Sequence, residues 1–307
     1  MKNQRGFALV LTLIITALLV ALVVEFITDV YVDTTSRQNF VDAQKASLIA
    51  DSGITGATAL MQWNLNSQSY TSLQDSWLQP IKLTEGDGTL TITIEEESGK
   101  LNINDIAGQN GTFNTFQHDA AFRLFQEFSL PADQLVNSIA DWRSETDTPH
   151  AGGAKTSWYS SLNPPYMAPN NNFLTVEELN LVKGFNTDLV NKLKPFITVY
   201  SDNQMMALIN INTAPKEVLI ALDDSISEGV ADDIINYRRI TPFTTVSDIA
   251  NVPGMSSIGT ALQGHISVKG TIFRITAVAQ VNETTRTVEA VINFAAGVPV
   301  TTYWREY

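Results

Sequence analysis

The pattern of the chain is most uneven at its start. From Phe7 to Val24 the residues read FALVLTLIITALLVALVV, uncharged and interrupted only by Thr12 and Thr16. At about 1.5 Å per residue this stretch covers roughly 27 Å, close to the hydrocarbon thickness of a bilayer. Lys2 and Arg5 precede it. An excess of cations on that side predicts a cytoplasmic N-terminus, with everything after Glu25 beyond the membrane. In a bacterium this is a single-pass inner-membrane protein with a periplasmic C-terminal domain. The residues after the apolar run, Glu25 to Val30, offer no small-x-small site for a secretory peptidase. The run is therefore read as an anchor.

Helical periodicity continues beyond it. Phe26, Val30, Val41, Leu48, Ile49, Ala57, Leu60 and Met61 recur at mixed three- and four-residue spacings, and no proline occurs before Pro80. The spacing predicts one helix from Phe7 to about Trp63, with Gly53 and Gly56 as weak points where it bends. The period then changes to two. Leu90, Ile92 and Ile94 alternate with threonines, and Ser98-Gly99-Lys100 turns the chain into Leu101–Asn104. Near the other end Phe273, Ile275, Ala277, Ala279 and Val281 alternate with polar residues. After a turn at Asn282–Thr285, so do Val288, Ala290, Ile292 and Phe294. These segments predict one antiparallel sheet, split by about 160 residues of helical character.

Composition narrows the function. The chain has no cysteine, which excludes disulfides, thiol nucleophiles and thiolate metal sites. Its 32 acidic and 19 basic residues give a net charge of −13, a poor match to a polyanion. His118, His150 and His265 are scattered, and no nucleophile elbow, HExxH or Walker loop occurs. Paired acids such as Asp223-Asp224 read as a solvated face. No catalytic residues and no cofactor are assigned.

The leader carries a more specific signal. A short cationic segment ends in Gly6, and Phe7 begins the apolar helix at once. Gly6-Phe7 resembles the class III signal of type IV pilins and pseudopilins. That resemblance implies cleavage by a prepilin peptidase between Gly6 and Phe7, with methylation of the new amine. Most such proteins carry Glu at the fifth mature position, which here is Leu11. Among pseudopilins the missing Glu marks the K class of the type II secretion system (general secretion pathway protein K). The resemblance implies a minor pseudopilin at the tip of the pseudopilus, needed for its assembly and for export across the outer membrane. Implied partners are the I- and J-class minor pseudopilins and the inner-membrane assembly platform. A type IV pilus minor pilin is the nearest alternative, although such proteins commonly carry a disulfide and the fifth-position Glu.

The insertion holds an internal repeat. FLTVEELNLVKGF (173–185) matches FTTVSDIANVPGM (243–255), and LVNSIADWR (135–143) resembles VADDIINYR (230–238). Thr175 and Thr245 are expected N-caps, and Gly184 and Gly254 expected hairpin ends. The unit resembles SAM-like or helix-hairpin-helix modules, as does the prelude Ile211–Pro215, which makes a membrane-anchored DNA-binding protein another alternative. The second hairpin, Val252–Ser257, has no cation, and Asp223–Gly229 opposite is acidic. The reading is therefore a docking fold without nucleic-acid binding.

The expected fold is α+β: a pilin-like long helix on an antiparallel sheet, with a large α-helical insertion of two repeats. The divisions are leader 1–6, transmembrane helix 7–28, stalk and first strands 29–108, and insertion 109–270 with repeats at about 130–200 and 205–268. A C-terminal hairpin, 271–307, completes the sheet. Asp141, Glu145 and Asp147 cluster beside Trp142. In the K class the corresponding carboxylates hold calcium. Here Arg143-Ser144, Thr146 and Lys155-Thr156 stand where the family has other residues, most of them acids. Two readings stay open, calcium held by Asp141, Glu145 and Asp147, or Lys155 tying the 146–170 loop to Asp141 or Asp147, against a solvated acidic loop.

Overall fold

The computed structural model describes residues 4–202 and 207–307. Lys2 of the leader and position 205, where the second repeat was expected to begin, lie outside the described residues. One helix, α1 (Gln4–Ser67), runs uninterrupted across both glycines. From Gly6 to Phe40 it is exposed on every side. Beyond that point one face is buried: Ala43, Ala46, Ala50, Ile54, Ala57, Met61 and Leu65. This stripe keeps the three- and four-residue spacing but is built largely of alanine, so the helix lies close on the sheet. Gly53 belongs to the same face. A Cβ there would stand 3.1 Å from the Leu90 methyls and 3.3 Å from Ala277 Cβ. The bulky Val41, Leu48 and Leu60 that suggested the pattern lie outside the stripe and are at least a third exposed.

The sheet has five antiparallel strands in the order β1 (Ile81–Glu85), β2 (Gly88–Glu96), β7 (Ile272–Val281), β8 (Thr284–Asn293), β9 (Val300–Glu306). Leu90↔Ala279, Ile92↔Ala277 and Ile94↔Ile275 pair across β2 and β7, and Ala277↔Val288 and Ile275↔Ala290 across β7 and β8. Their buried side chains form one core with the α1 stripe, closed by Trp77 edge-on to Phe273 at 5.3 Å. Asp42, on the buried side of α1, accepts from Asn282 in the β7–β8 turn at 2.8 Å and so pins the hairpin to the helix.

Three details differ from expectation. The C-terminal hairpin gains a third strand, β9, and the first strands gain an edge partner, β1. Both are short edge strands, where one flank lacks a pairing partner and the apolar signal is weak. The Leu101–Asn104 segment is not in the sheet. β3 (Leu101–Asn102) pairs in parallel with β4 (Ile197–Thr198), led in by Leu101 N–H donating to the Phe196 carbonyl at 2.9 Å.

Between β3 and β7 the chain forms α2 (Thr115–Glu127), α3 (Ala132–Arg143), α4 (Thr156–Tyr159), a 3-10 turn (Val176–Leu181), α5 (Thr187–Leu193) and β4. It continues through β5 (Ile209–Asn210), α6 (Lys216–Ala221), α7 (Glu228–Ile240), a second 3-10 turn (Val246–Asn251), α8 (Ile258–Ala261) and β6 (Ile266–Ser267). β5 pairs in parallel with β6. These elements share a second core around Phe125, Leu135, Ile139, Tyr159, Leu179, Ile234 and Phe243.

Candidate functional site

The N-terminal half of α1 is the first candidate. Gly6 has no atom within 4 Å of where a Cβ would sit, Phe7 is 71% exposed and Leu11 is 46% exposed. The most apolar window has a mean hydropathy of 3.1 with none of it buried, whereas the core helix of a water-soluble fold would be covered. Polar groups within it are satisfied internally. Thr12 donates to the Leu9 carbonyl at 2.8 Å and Thr16 to the Thr12 carbonyl at 2.7 Å, as a bilayer requires. Such a helix fits a single-pass membrane anchor. The first acidic residue after Leu11 is Glu25.

The second candidate is the acidic loop. Asp141 is fully buried near the C-terminus of α3, while Glu145 and Asp147 are exposed. The Asp141 carboxylate accepts the His150 backbone N–H at 3.1 Å on both oxygens, and its Oδ1 lies 2.6 Å from His150 Nδ1. Gly153 leaves room for it: a Cβ there would fall 2.0 Å from Asp141 Oδ2. Lys155 is also buried, yet it does not reach either carboxylate. Its Nζ donates to the Asp141 carbonyl at 2.7 Å, the Ser144 carbonyl at 2.6 Å and Ser144 Oγ at 2.7 Å. An ammonium there faces the negative end of the α3 dipole and satisfies carbonyls that the last helical turn leaves open. Burial lowers the Lys155 pKa, and Asp141 and Asp147 oppose the fall. The expected tie between Lys155 and the loop is therefore made through main-chain carbonyls, because His150 already occupies the Asp141 carboxylate.

These residues do not fit calcium. A hard dication wants six to eight oxygens. Here the carbonyls face an ammonium, the buried carboxylate is filled by His150, and the other two acids point to solvent. Among the described residues no three acid, histidine or cysteine side chains gather to hold a metal. Lys183 adds a second cation to the loop, donating to the Gly152 and Gly153 carbonyls at 3.0 and 3.1 Å.

Sequence reasoning missed a pair of asparagine brackets. Asn104 donates to the Phe173 and Val199 carbonyls at 2.9 and 2.8 Å and accepts from Phe173 N–H at 2.9 Å. Asn212 does the same with the Phe243 and Val268 carbonyls at 2.9 and 3.2 Å and with Phe243 N–H at 2.9 Å. Nearby, Arg143 donates to the Ala107 carbonyl and Arg238 to the Ile211 carbonyl. Burial pulls both arginines down to about 10. The available signal was the shared Asn-Ile-Asn of 102–104 and 210–212, short and displaced from the longer matches.

Comparison with known proteins places these features. Two family models, both described as type II secretion system (T2SS), protein K, match residues 99–202 and 209–269, together more than half of the chain. The chain belongs to the type II secretion system protein K family. The protein K of Klebsiella pneumoniae is 26% identical over 84% of this chain and 82% of that protein. The protein K of Pseudomonas aeruginosa is 26% identical over 80% of this chain and 76% of that protein. The fold resembles a chain in the crystal structure of the GspK-GspI-GspJ complex from enterotoxigenic Escherichia coli. The TM-score is 0.74 at 18% identity, covering 90% of this chain and 99% of that one. A long N-terminal helix on an antiparallel sheet is thus the fold of a protein K, a minor pseudopilin and structural component of the secretion system.

Proposed function

We propose that this protein K caps the pseudopilus, together with I- and J-class minor pseudopilins, and that its work is assembly and not chemistry. One observation carries the reading. The exposed apolar half of α1 holds no acid from Phe7 to Val24, and Leu11 stands where a buried Glu would recruit the next subunit. A carboxylate in an apolar setting costs several kcal/mol unless paired. Pilin-like subunits accept that cost because a neighbour's terminal amine meets it. A helix lacking the acid joins a bundle through its sides but offers no such partner to a subunit above. The similar fold in the GspK-GspI-GspJ complex supports the choice of partners.

In this account the helix waits in the inner membrane with its N-terminus in the cytoplasm, and a prepilin peptidase cuts between Gly6 and Phe7. The insertion (109–270) is two SAM-like repeats serving as a docking fold. Supporting that, the Asn104 and Asn212 brackets occupy like positions, and Gly184 and Gly254 end the two hairpins at φ of 91° and 82°. Nucleic acid is a poor ligand for it, because Arg238 of the lone basic couplet is buried on a carbonyl.

The experiment is replacement of Gly6 by leucine in a secreting bacterium. The expected outcome is a precursor of lower gel mobility, no recovery of I and J subunits with it, and loss of secretion. Normal processing and secretion would contradict the proposal.

A further inference from the structure

Glu96, the last residue of β2, sits where four segments converge. Its Oε1 accepts from Asn210 Nδ2 at 2.7 Å and from Thr213 Oγ1 at 2.9 Å, and its Oε2 from Thr71 Oγ1 at 2.9 Å. Thr71 follows α1, and Asn210 and Thr213 lie at the end of β5 and just before α6. The fourth segment is the return to the sheet, where Gly270 N–H donates to Thr71 Oγ1 at 2.8 Å. Asn210 also donates to Thr71 Oγ1 at 2.8 Å. With two donors on its oxygen, the Thr71 hydroxyl must send its own proton to Glu96. The fit is close: a Cβ on Gly270 would lie 2.2 Å from the carboxyl carbon of Glu96.

Among the described residues every donor to this carboxyl is neutral. The cations around it are engaged elsewhere. Lys100 and Arg274 bind Glu97, at 3.0 and 2.8 Å. Lys269 donates to the Gln68 carbonyl at 2.8 Å and to the Leu65 carbonyl. Lys216 pairs with Asp232 at 2.8 Å, and the His265 ring stacks on Phe116. Glu95 points to solvent on the opposite face of β2, and Asp75, in the turn after Thr71, adds a like charge.

We propose that the Glu96 cluster is a proton-sensitive clasp that joins the stalk sheet to the second half of the insertion. Protonated, the carboxyl carries no net charge and its O–H donates to Thr213 Oγ1, whose own proton turns to the Asn210 carbonyl at 3.5 Å, and the seam is closed. Ionised, it is a buried anion with hydrogen bonds but no counter-ion, and the seam loosens. The direction is consistent with its titration. Burial pushes Glu96 up to about 7, with Asp75 adding to the rise and the hydrogen bonds from Asn210, Thr71 and Thr213 opposing it. A carboxyl raised above its unfolded value stabilises the fold fully below the unfolded pKa. That stability is lost as pH rises through the folded pKa. The window is therefore from about 4.5 to about 7. The inference concerns only the joint and does not depend on where the subunit sits in the filament.

The test is hydrogen exchange of the full chain in detergent between pH 5.5 and 8.5, corrected for intrinsic exchange chemistry. The amides of Gly270, Asn210 and Thr71 should lose protection at least tenfold across that range in the wild type. They should change little in Glu96→Gln, where no charge can form. A parallel measurement follows the Glu96 carboxyl carbon by NMR in wild-type protein labelled at glutamate, so a poorly folded variant does not end the test. A carboxyl midpoint near 7 with pH-dependent protection supports the clasp. A midpoint below 5, or protection independent of pH, would overturn it.

Discussion

At the scale of single residues, buried polar side chains in this protein hold loops in place. Lys155 is the clearest case: its three acceptors are two main-chain carbonyls and one hydroxyl at the end of α3. Lys155→Ala removes the donor and leaves those carbonyls buried. Hydrogen bonds to charged groups are worth about 1.5–3 kcal/mol, so the melting temperature of the full chain in detergent should fall by several degrees. Calcium or chelator should leave the melting temperature of the wild type unchanged. A calcium-dependent rise would show that the loop retains a metal site. Asn212 gives a second check. Asn212→Ala orphans Phe243 N–H and two carbonyls, for an expected loss of about 1–3 kcal/mol by chemical denaturation. The lysine was legible in the sequence as a cation among lost ligands, but its partners were not. Which acceptor a long side chain reaches depends on where the helix ends and on His150 having taken the carboxylate first.

Among the elements, α1 combines two kinds of surface. From Phe7 to Val24 it is apolar all round, and from Ala43 to Leu65 it buries one stripe built largely of alanine. Gly53 and Gly56 separate these roles at single positions. A Cβ on Gly53 would stand 3.1 Å from the Leu90 methyls, whereas nothing lies within 4 Å of a Cβ at Gly56. Gly53→Val should force the helix away from β2 and β7 and destabilise by about 1–3 kcal/mol. Gly56→Ala should stabilise by up to about 1 kcal/mol, because alanine is the better helix former. Thermal melts of the two variants moving in the same direction would refute this placement of α1. The long helix and the strands β2, β7 and β8 were readable because their periods are sustained. The stripe was misread because large apolar residues draw attention, while tight packing on a sheet here selects alanine. β3 was misplaced because two residues carry no period, and only the distant β4 decides its partner.

For the whole molecule, the arrangement separates an anchor, a stalk sheet and a helical insertion with its own core. The insertion departs from β2 and returns to β7, so it is carried by two adjacent central strands of the stalk. A load on the insertion would reach α1 through that sheet. The apolar N-terminal run and the order of motifs along the chain were visible in the sequence. The seam at Glu96 was not, because its four segments are up to 199 residues apart in sequence. The central claim is that the apolar helix begins at Phe7 in the working protein. Its most direct test is the N-terminal sequence of the protein purified from membranes of a secreting bacterium. The account predicts Phe7 as the first residue, with its amine methylated, and Met1 still in place would contradict it.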